Sequence, residues 1–194
     1  MLNQYWKILR TGVLTDKFAR SESGPRSGSQ NDGLQGGSPQ KVDREIRELE
    51  VEEAGARLKT AIDQRFAGSL AIRQVDAGSC NGCELEIHAL NNVYYDIERF
   101  GVHFVASPRH ADLLLVTGPV SRHMEAALRR TYEATANPKW VVAVGDCGAC
   151  GGEFGESYAS CGRVANVIPV DAVVPGCPPT PLALMRGILN LFSR

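Results

Sequence analysis

An α/β fold built on a parallel sheet is what this sequence predicts. Two observations carry that expectation. From Gly68 onward, short apolar runs alternate with helix-patterned segments, the signature of a sheet covered on both faces. Four cysteines also fall in glycine-rich loops just after predicted strands, on the edge where open parallel sheets build their sites.

The elements follow in order. Residues 1–20 read as a basic amphipathic docking arm, with Leu2, Tyr5, Trp6, Leu9 and Val13 at near-helical spacing among Lys7, Arg10, Lys17 and Arg20. Residues 21–40 are nearly all Gly, Ser, Pro and polar side chains, with Leu34 the one large aliphatic, so a flexible linker is expected. A charged helix is predicted over 41–67. Its apolar stripe is read as Val42, Ile46, Leu49, Leu58, Ile62 and Phe66, with Asp43/Arg47 and Glu53/Arg57 as i,i+4 pairs and Gly55 as a weak point. The α/β domain then spans 68–194. Strands are predicted at 70–75, 102–106, 113–117, 140–144 and 172–174, and helices at 84–93, 121–135 and 182–191, with Ser121 as an N-cap.

Composition excludes several function classes. The 194 residues carry a formal charge of −1, with 43% hydrophobic and 22% charged residues. That supports a real core and gives no one-sign excess to track a nucleic-acid backbone. No apolar stretch approaches the ~20 residues that span a bilayer, and 1–14 lacks the apolar run of a signal peptide. A soluble, cytoplasmic chain is expected. There is no G-x-G-x-x-G and no G-x-x-x-x-G-K-[ST], so nucleotide sites of those types are rejected.

Six cysteines then need an explanation. Cys80/Cys83 and Cys147/Cys150 form two C-x-x-C pairs, while Cys161 and Cys177 stand alone. Loops after three separated strands would bring Cys80, Cys83, Cys147 and Cys177 to one edge. Converging thiolates repel one another unless a cation sits among them, so a metal centre is expected. Gly78, Gly82, Gly145, Gly148, Gly151, Gly152 and Gly176 would let backbone approach the sulfurs, and Pro175, Pro178 and Pro179 would stiffen that approach. A structural zinc on Cys80, Cys83, Cys147 and Cys150 is one reading. Against it, 63 residues intervene between the pairs, far from the ~15–20 of a compact zinc ribbon. A [4Fe–4S] cluster tolerates long separations, and the Cys-Pro step at Cys177 suits it. Spacing favours iron–sulfur and leaves zinc open.

The stretches GSCNGCELEIHAL (78–90), SPRHADLLLVTGPV (107–120), GDCGACGGEFG (145–155) and IPVDAVVPGCPPTP (168–181) resemble a known family. It comprises the small electron-transfer subunits of complex-I-related, membrane-bound group 4 [NiFe] hydrogenases, including formate hydrogenlyase, and the homologous 20 kDa subunit of NADH–quinone oxidoreductase. The resemblance implies a flavodoxin-like domain with one [4Fe–4S] cluster on Cys80, Cys83, Cys147 and Cys177. Cys150 is then left in the surroundings of the cluster, and Cys161 as a buried small residue. It further implies electron relay to the Ni–Fe site of a hydrogenase large subunit. A ferredoxin-like iron–sulfur subunit and membrane subunits are the other implied partners, at the cytoplasmic side of the cell membrane. The complex I branch uses two adjacent cysteines in the first loop; C-N-G-C here points to the hydrogenase branch.

Smaller residues complete the expectation. Glu84 and Glu86 are acid–base candidates beside Cys83, although a solvated helix N-terminus accounts for them as well. Arg109 and His110 could supply positive charge near the cluster or lie on the surface. His88, His103 and His123 are read as structural.

Overall fold

A computed structural model describes residues 39–192. The arm expected at 1–20 and the linker up to residue 38 lie outside the described residues. The first helix, α1 (Pro39–Phe66), begins two residues before the expected boundary at 41. β1 (Leu70–Asp76) and α2 (Gly82–Ala89) follow, then β2 (Val102–Phe104), β3 (Leu113–Thr117) and α3 (Arg122–Ala134). β4 (Trp140–Val144), α4 (Gly145–Cys150), β5 (Ala172–Val174) and α5 (Pro181–Phe192) complete the described chain.

All pairings are parallel, in the order β2-β1-β3-β4-β5. This is the flavodoxin-like order, whose direction of winding reverses between β1 and β3. Side chains alternate across the sheet. Ile72, Leu113, Leu115, Val142 and Val144 face a core shared with Leu58 and Ile62 of α1, Ile87 of α2, and Leu184, Met185 and Ile188 of α5. Leu114, Val116, Val141 and Ala143 face the other way, onto Leu128 of α3 and Val164, Val167 and Ile168. Both faces of β3 are therefore buried along its whole length, as the unbroken Leu-Leu-Leu-Val run requires.

Differences from expectation have local causes. α1 buries Val51, Ala54, Leu58 and Ile62, whereas Ile46 and Leu49 of the expected stripe are 49% and 70% exposed. Gly55 is where the ring of Phe100 packs, and any Cβ there would occupy the ring's space. It is thus a contact point rather than a weak point. The helix pairs ionically as Arg44–Glu48 (2.8 Å) along its length, and across to the domain as Glu52–Arg99 (2.6 Å) and Glu50–Arg186 (3.3 Å). α2 stops at Ala89, short of the expected 93, because the chain turns at Asn92, whose Oδ1 accepts from Tyr94 and Tyr95 N–H. β2 ends at Phe104 rather than 106. Ser121 caps α3, accepting from Met124 N–H at 3.3 Å.

Leu58 is fully buried between α1 and the sheet, so Leu58→Ala should cost about 2–5 kcal/mol. Gly55→Leu should cost about 1–3 kcal/mol through overpacking against Phe100. Urea unfolding midpoints would show both, and equal midpoints for Gly55→Leu and the parent would mean α1 is not held in this seat.

Candidate functional site

The carboxyl ends of β1, β4 and β5 lead into three loops that meet around one small pocket. Cys80 and Cys83 come from the first loop, Cys147 from α4 after β4, and Cys177 from the turn after β5. All four line that pocket with Ser79, Gly82, Gly118, Pro119, Asp146, Phe154, Gly176 and Pro178. Cys80 and Cys177 are exposed at its mouth; Cys83 and Cys147 are half-buried.

Each loop has its own support. The first is shaped by Asp76, whose Oδ1 accepts from the Gly78 and Ser79 N–H groups at 2.8 and 2.9 Å. It then passes so close to β3's exit that a Cβ on Gly118 would lie 2.6 Å from Ser79 N. The second and third loops are clamped to each other. Asp146 N–H donates to Gly176 O (2.9 Å), and Gly176 N–H donates to Asp146 Oδ1 (2.8 Å). Their neighbours in sequence are Cys147 and Cys177, so this reciprocal pair fixes one thiol against the other. Gly145, at φ +78°, is needed for approach: a Cβ there would lie 2.7 Å from Cys83 Sγ.

The electrostatics oppose empty thiolates. Cys83 sits in the first turn of α2, where the helix end favours an anion. Burial outweighs this, and with Glu84, Cys80, Cys147 and Cys177 nearby its thiol is pushed up to about 11. Burial also raises Cys147, again with Cys177 and Cys80 as neighbours. The four thiols are therefore close enough to resist joint ionisation. Among the described residues, no three His, Cys, Asp or Glu side chains converge tightly enough to hold one metal ion.

The other candidates separate. Cys150 is exposed and its Sγ donates to Asp146 O (3.2 Å), a bond back along α4; it does not line the pocket. Cys161 is buried and donates to Glu125 Oε2 at 3.3 Å. Glu84 is not at a solvated helix end: it is 4% exposed and neither carboxylate oxygen has a hydrogen-bond partner. Glu86 is half-buried beside Tyr95, whose hydroxyl is pushed up first by burial, then by Tyr94 and then by Glu86. Arg109 and His110 form an exposed turn, Pro108–His110, that leads into β3 from its amino end. That edge is opposite the cysteines, so neither residue provides a cation there. Sequence reading missed Asp76 and Asp146. An acidic residue one or two positions past each predicted strand, Asp76 after 70–75 and Asp146 after 140–144, was the available signal.

Comparison with known proteins places these motifs. The family model described as NADH ubiquinone oxidoreductase, 20 Kd subunit, matches residues 80–191. Formate hydrogenlyase subunit 7 of Escherichia coli is 42% identical over 139 residues, 72% of this chain and 54% of that one. The chain thus spans about half the length of that relative. A probable membrane-bound hydrogenase subunit, mbhJ, of Pyrococcus furiosus is 47% identical over 141 residues, 71% of this chain and 84% of that one. Among solved structures, a chain of the membrane-bound sulfane sulfur reductase, an archaeal respiratory membrane complex, superposes with a TM-score of 0.57. It is 38% identical, covering 64% of this chain and 69% of that one.

Two outcomes are expected from this geometry. In metal-free protein at pH 8, a thiol held near 11 is ionised in only about one molecule in a thousand. Cys83 should therefore alkylate far more slowly than Cys150, the gap closing as pH rises toward 11; mass-spectrometric labelling rates at pH 8 and 10.5 would show it. Asp146→Ala removes the acceptor for Gly176 N–H and should cost about 1–3 kcal/mol, with the loss confined to the loops carrying Cys147 and Cys177. Hydrogen exchange of the Gly176 amide is the direct readout.

Proposed function

Because the chain belongs to the family of the 20 kDa subunit of NADH ubiquinone oxidoreductase, we propose that it is the electron-relay subunit of a membrane-bound hydrogenase complex, holding one [4Fe–4S] cluster on Cys80, Cys83, Cys147 and Cys177. One observation carries the reading: three loops from separate strands present four thiols to a single pocket. The donor set fits a cluster better than zinc. A lone zinc at ~2.3 Å from each sulfur draws the sulfurs to within about 4 Å of one another. A cubane seats each thiolate on its own iron and so accepts a wider set.

When bound, the cluster would take up and release one electron at a time. The chain's own residues supply the rest. Gly145 and Gly152 leave room beside Cys83 and Cys147 that any Cβ would take. Asp146 holds the Cys147 and Cys177 loops in register. Pro119, Phe154 and Pro178 give the pocket apolar walls that limit water, one of the levers on a cluster's potential. Six cysteines suffice for one four-thiolate cluster and no second, so the subunit relays electrons between other centres. The partners proposed are a ferredoxin-like iron–sulfur subunit and a large subunit whose Ni–Fe site interconverts protons and H2. Membrane subunits would hold this chain peripherally on the cytoplasmic side; no helix among the described residues is long and apolar enough to cross a membrane.

The likeness to the sulfane sulfur reductase chain favours a second reading, the same relay serving a complex with a different terminal acceptor. Nickel in the co-purified large subunit separates the two.

Iron, acid-labile sulfide and zinc per chain, measured on anaerobically purified protein, test the proposal. About four irons and four sulfides are expected, lost in Cys177→Ser and retained in Cys150→Ser. One zinc without sulfide, or equal loss in both variants, would overturn it.

A further inference from the structure

Cysteines aside, Ser79 is the only side chain lining the cysteine pocket that can donate a hydrogen bond. The glycines, prolines and Phe154 there have no polar side-chain atom. Asp146 is an acceptor, and its Oδ1 is engaged by Gly176 N–H at 2.8 Å.

The loop fixes this serine from several sides. Its N–H donates to Asp76 Oδ1 at 2.9 Å, and its Oγ accepts from Asn81 N–H at 3.2 Å. Gly118 gives it space: a Cβ there would lie 2.7 Å from Ser79 Cα and 2.9 Å from its Cβ. Asn81 leads into α2 between Cys80 and Cys83, so the serine is set in place against both thiols of its loop. The bond from Asn81 occupies one lone pair of Oγ and leaves the hydroxyl proton unspent. Among the described residues, no group accepts that proton. A half-buried hydroxyl gains when its proton finds an acceptor, and the pocket it shares holds four sulfurs.

We propose that Ser79 donates a hydrogen bond to a sulfur of the cluster and thereby raises the cluster's reduction potential; the inference rests on the [4Fe–4S] reading of this pocket. Reduction adds an electron and increases the negative charge on the sulfurs. A donor beside them stabilises the reduced form more than the oxidised one. The apolar walls alone disfavour the more negatively charged reduced form, so the hydroxyl offsets part of their effect. The same walls strengthen its bond by keeping water from competing.

The test uses the full chain, purified anaerobically with its cluster. It compares Ser79→Ala with Ser79→Thr, which keeps the hydroxyl. Iron and sulfide per chain should match the parent in both. In a redox titration followed by electron paramagnetic resonance, Ser79→Ala should take up its electron at a more negative potential. At the parent's midpoint its ratio of reduced to oxidised cluster should fall about three- to tenfold, while Ser79→Thr stays with the parent. Electron–nuclear double resonance of the reduced cluster in D2O should show an exchangeable deuteron in the parent and in Ser79→Thr that Ser79→Ala lacks. That signal separates a bond to sulfur from a merely structural role. An unmoved potential, an equal shift in both variants, or a shift with the deuteron retained would overturn the proposal. Should Ser79→Ala fail to hold iron, Ser79→Val, the isostere of the threonine variant, takes its place. Loss of iron there too would show that the side chain serves the loop itself, and would equally sink the idea. A parent chain without iron and sulfide defeats the cluster reading and this inference together. Full iron with an unmoved potential defeats this inference alone.

Discussion

Four thiols crowded at one sheet edge are the constraint on which the rest of this structure depends. Each would repel the others as a thiolate, and burial raises the cost for the inner two. Cys83 and Cys147 respond by holding their protons more tightly than a free cysteine does. Such an edge is stable only as neutral thiols or around a strong cation. The proposed cluster corresponds to the second state. Gly145 and Gly152 stand where a side chain would strike the Cys83 and Cys147 sulfurs.

Position matters as much as charge, because the thiols arrive on separate strands. A parallel sheet fixes the strand ends relative to one another, while the final approach is set by short loops that could each relax. Two carboxylates remove that freedom. Asp76 folds the first loop on itself, and Asp146 joins the second to the third. At the other edge of the sheet Asp112 and Asp171 do similar work, accepting from Ala71 and Val141 N–H on adjacent strands at 2.9 and 2.7 Å. The framework is thus pinned at both ends, and α1, α2 and α5 cover one face, with the first turn of α2 carrying Gly82 and Cys83 into the pocket.

The strands were legible because β3 and β4 are buried on both faces and so consist of unbroken apolar runs. The cysteine loops were legible because glycine, proline and cysteine have few other reasons to cluster after strands. What escaped the sequence was anything decided by a partner distant in the chain. The face that α1 buries depends on where Phe100 packs, so Ile46 and Leu49, read as part of one stripe with Leu58 and Ile62, stay exposed. Periodicity gives a stripe, but not which stripe meets the sheet. Asp146 acts through Gly176, thirty residues on, and no local pattern shows that. Arg109 and His110 precede a strand, which in a parallel sheet already excludes them from the carboxyl edge; topology could have said so.

Glu84 shows how these effects combine. A carboxylate with both oxygens buried and unpaired is a cost, since burial without a partner forfeits hydration. It lies directly after Cys83, and its charge is the largest contribution after burial to holding that thiol protonated. Its presence therefore deepens the penalty on free thiolates instead of relieving it. A cation among the four thiolates would offset part of their charge, so the repulsion that Glu84 adds would be smaller than for bare thiolates. Under the proposed function, binding and local order at this edge would be coupled, because the four thiols that resist joint ionisation are the ones that would hold the cluster. The fold supplies the remaining stability from its two cores, against one of which Cys83 itself packs, so the cost at this edge is borne next to the apolar packing that offsets it.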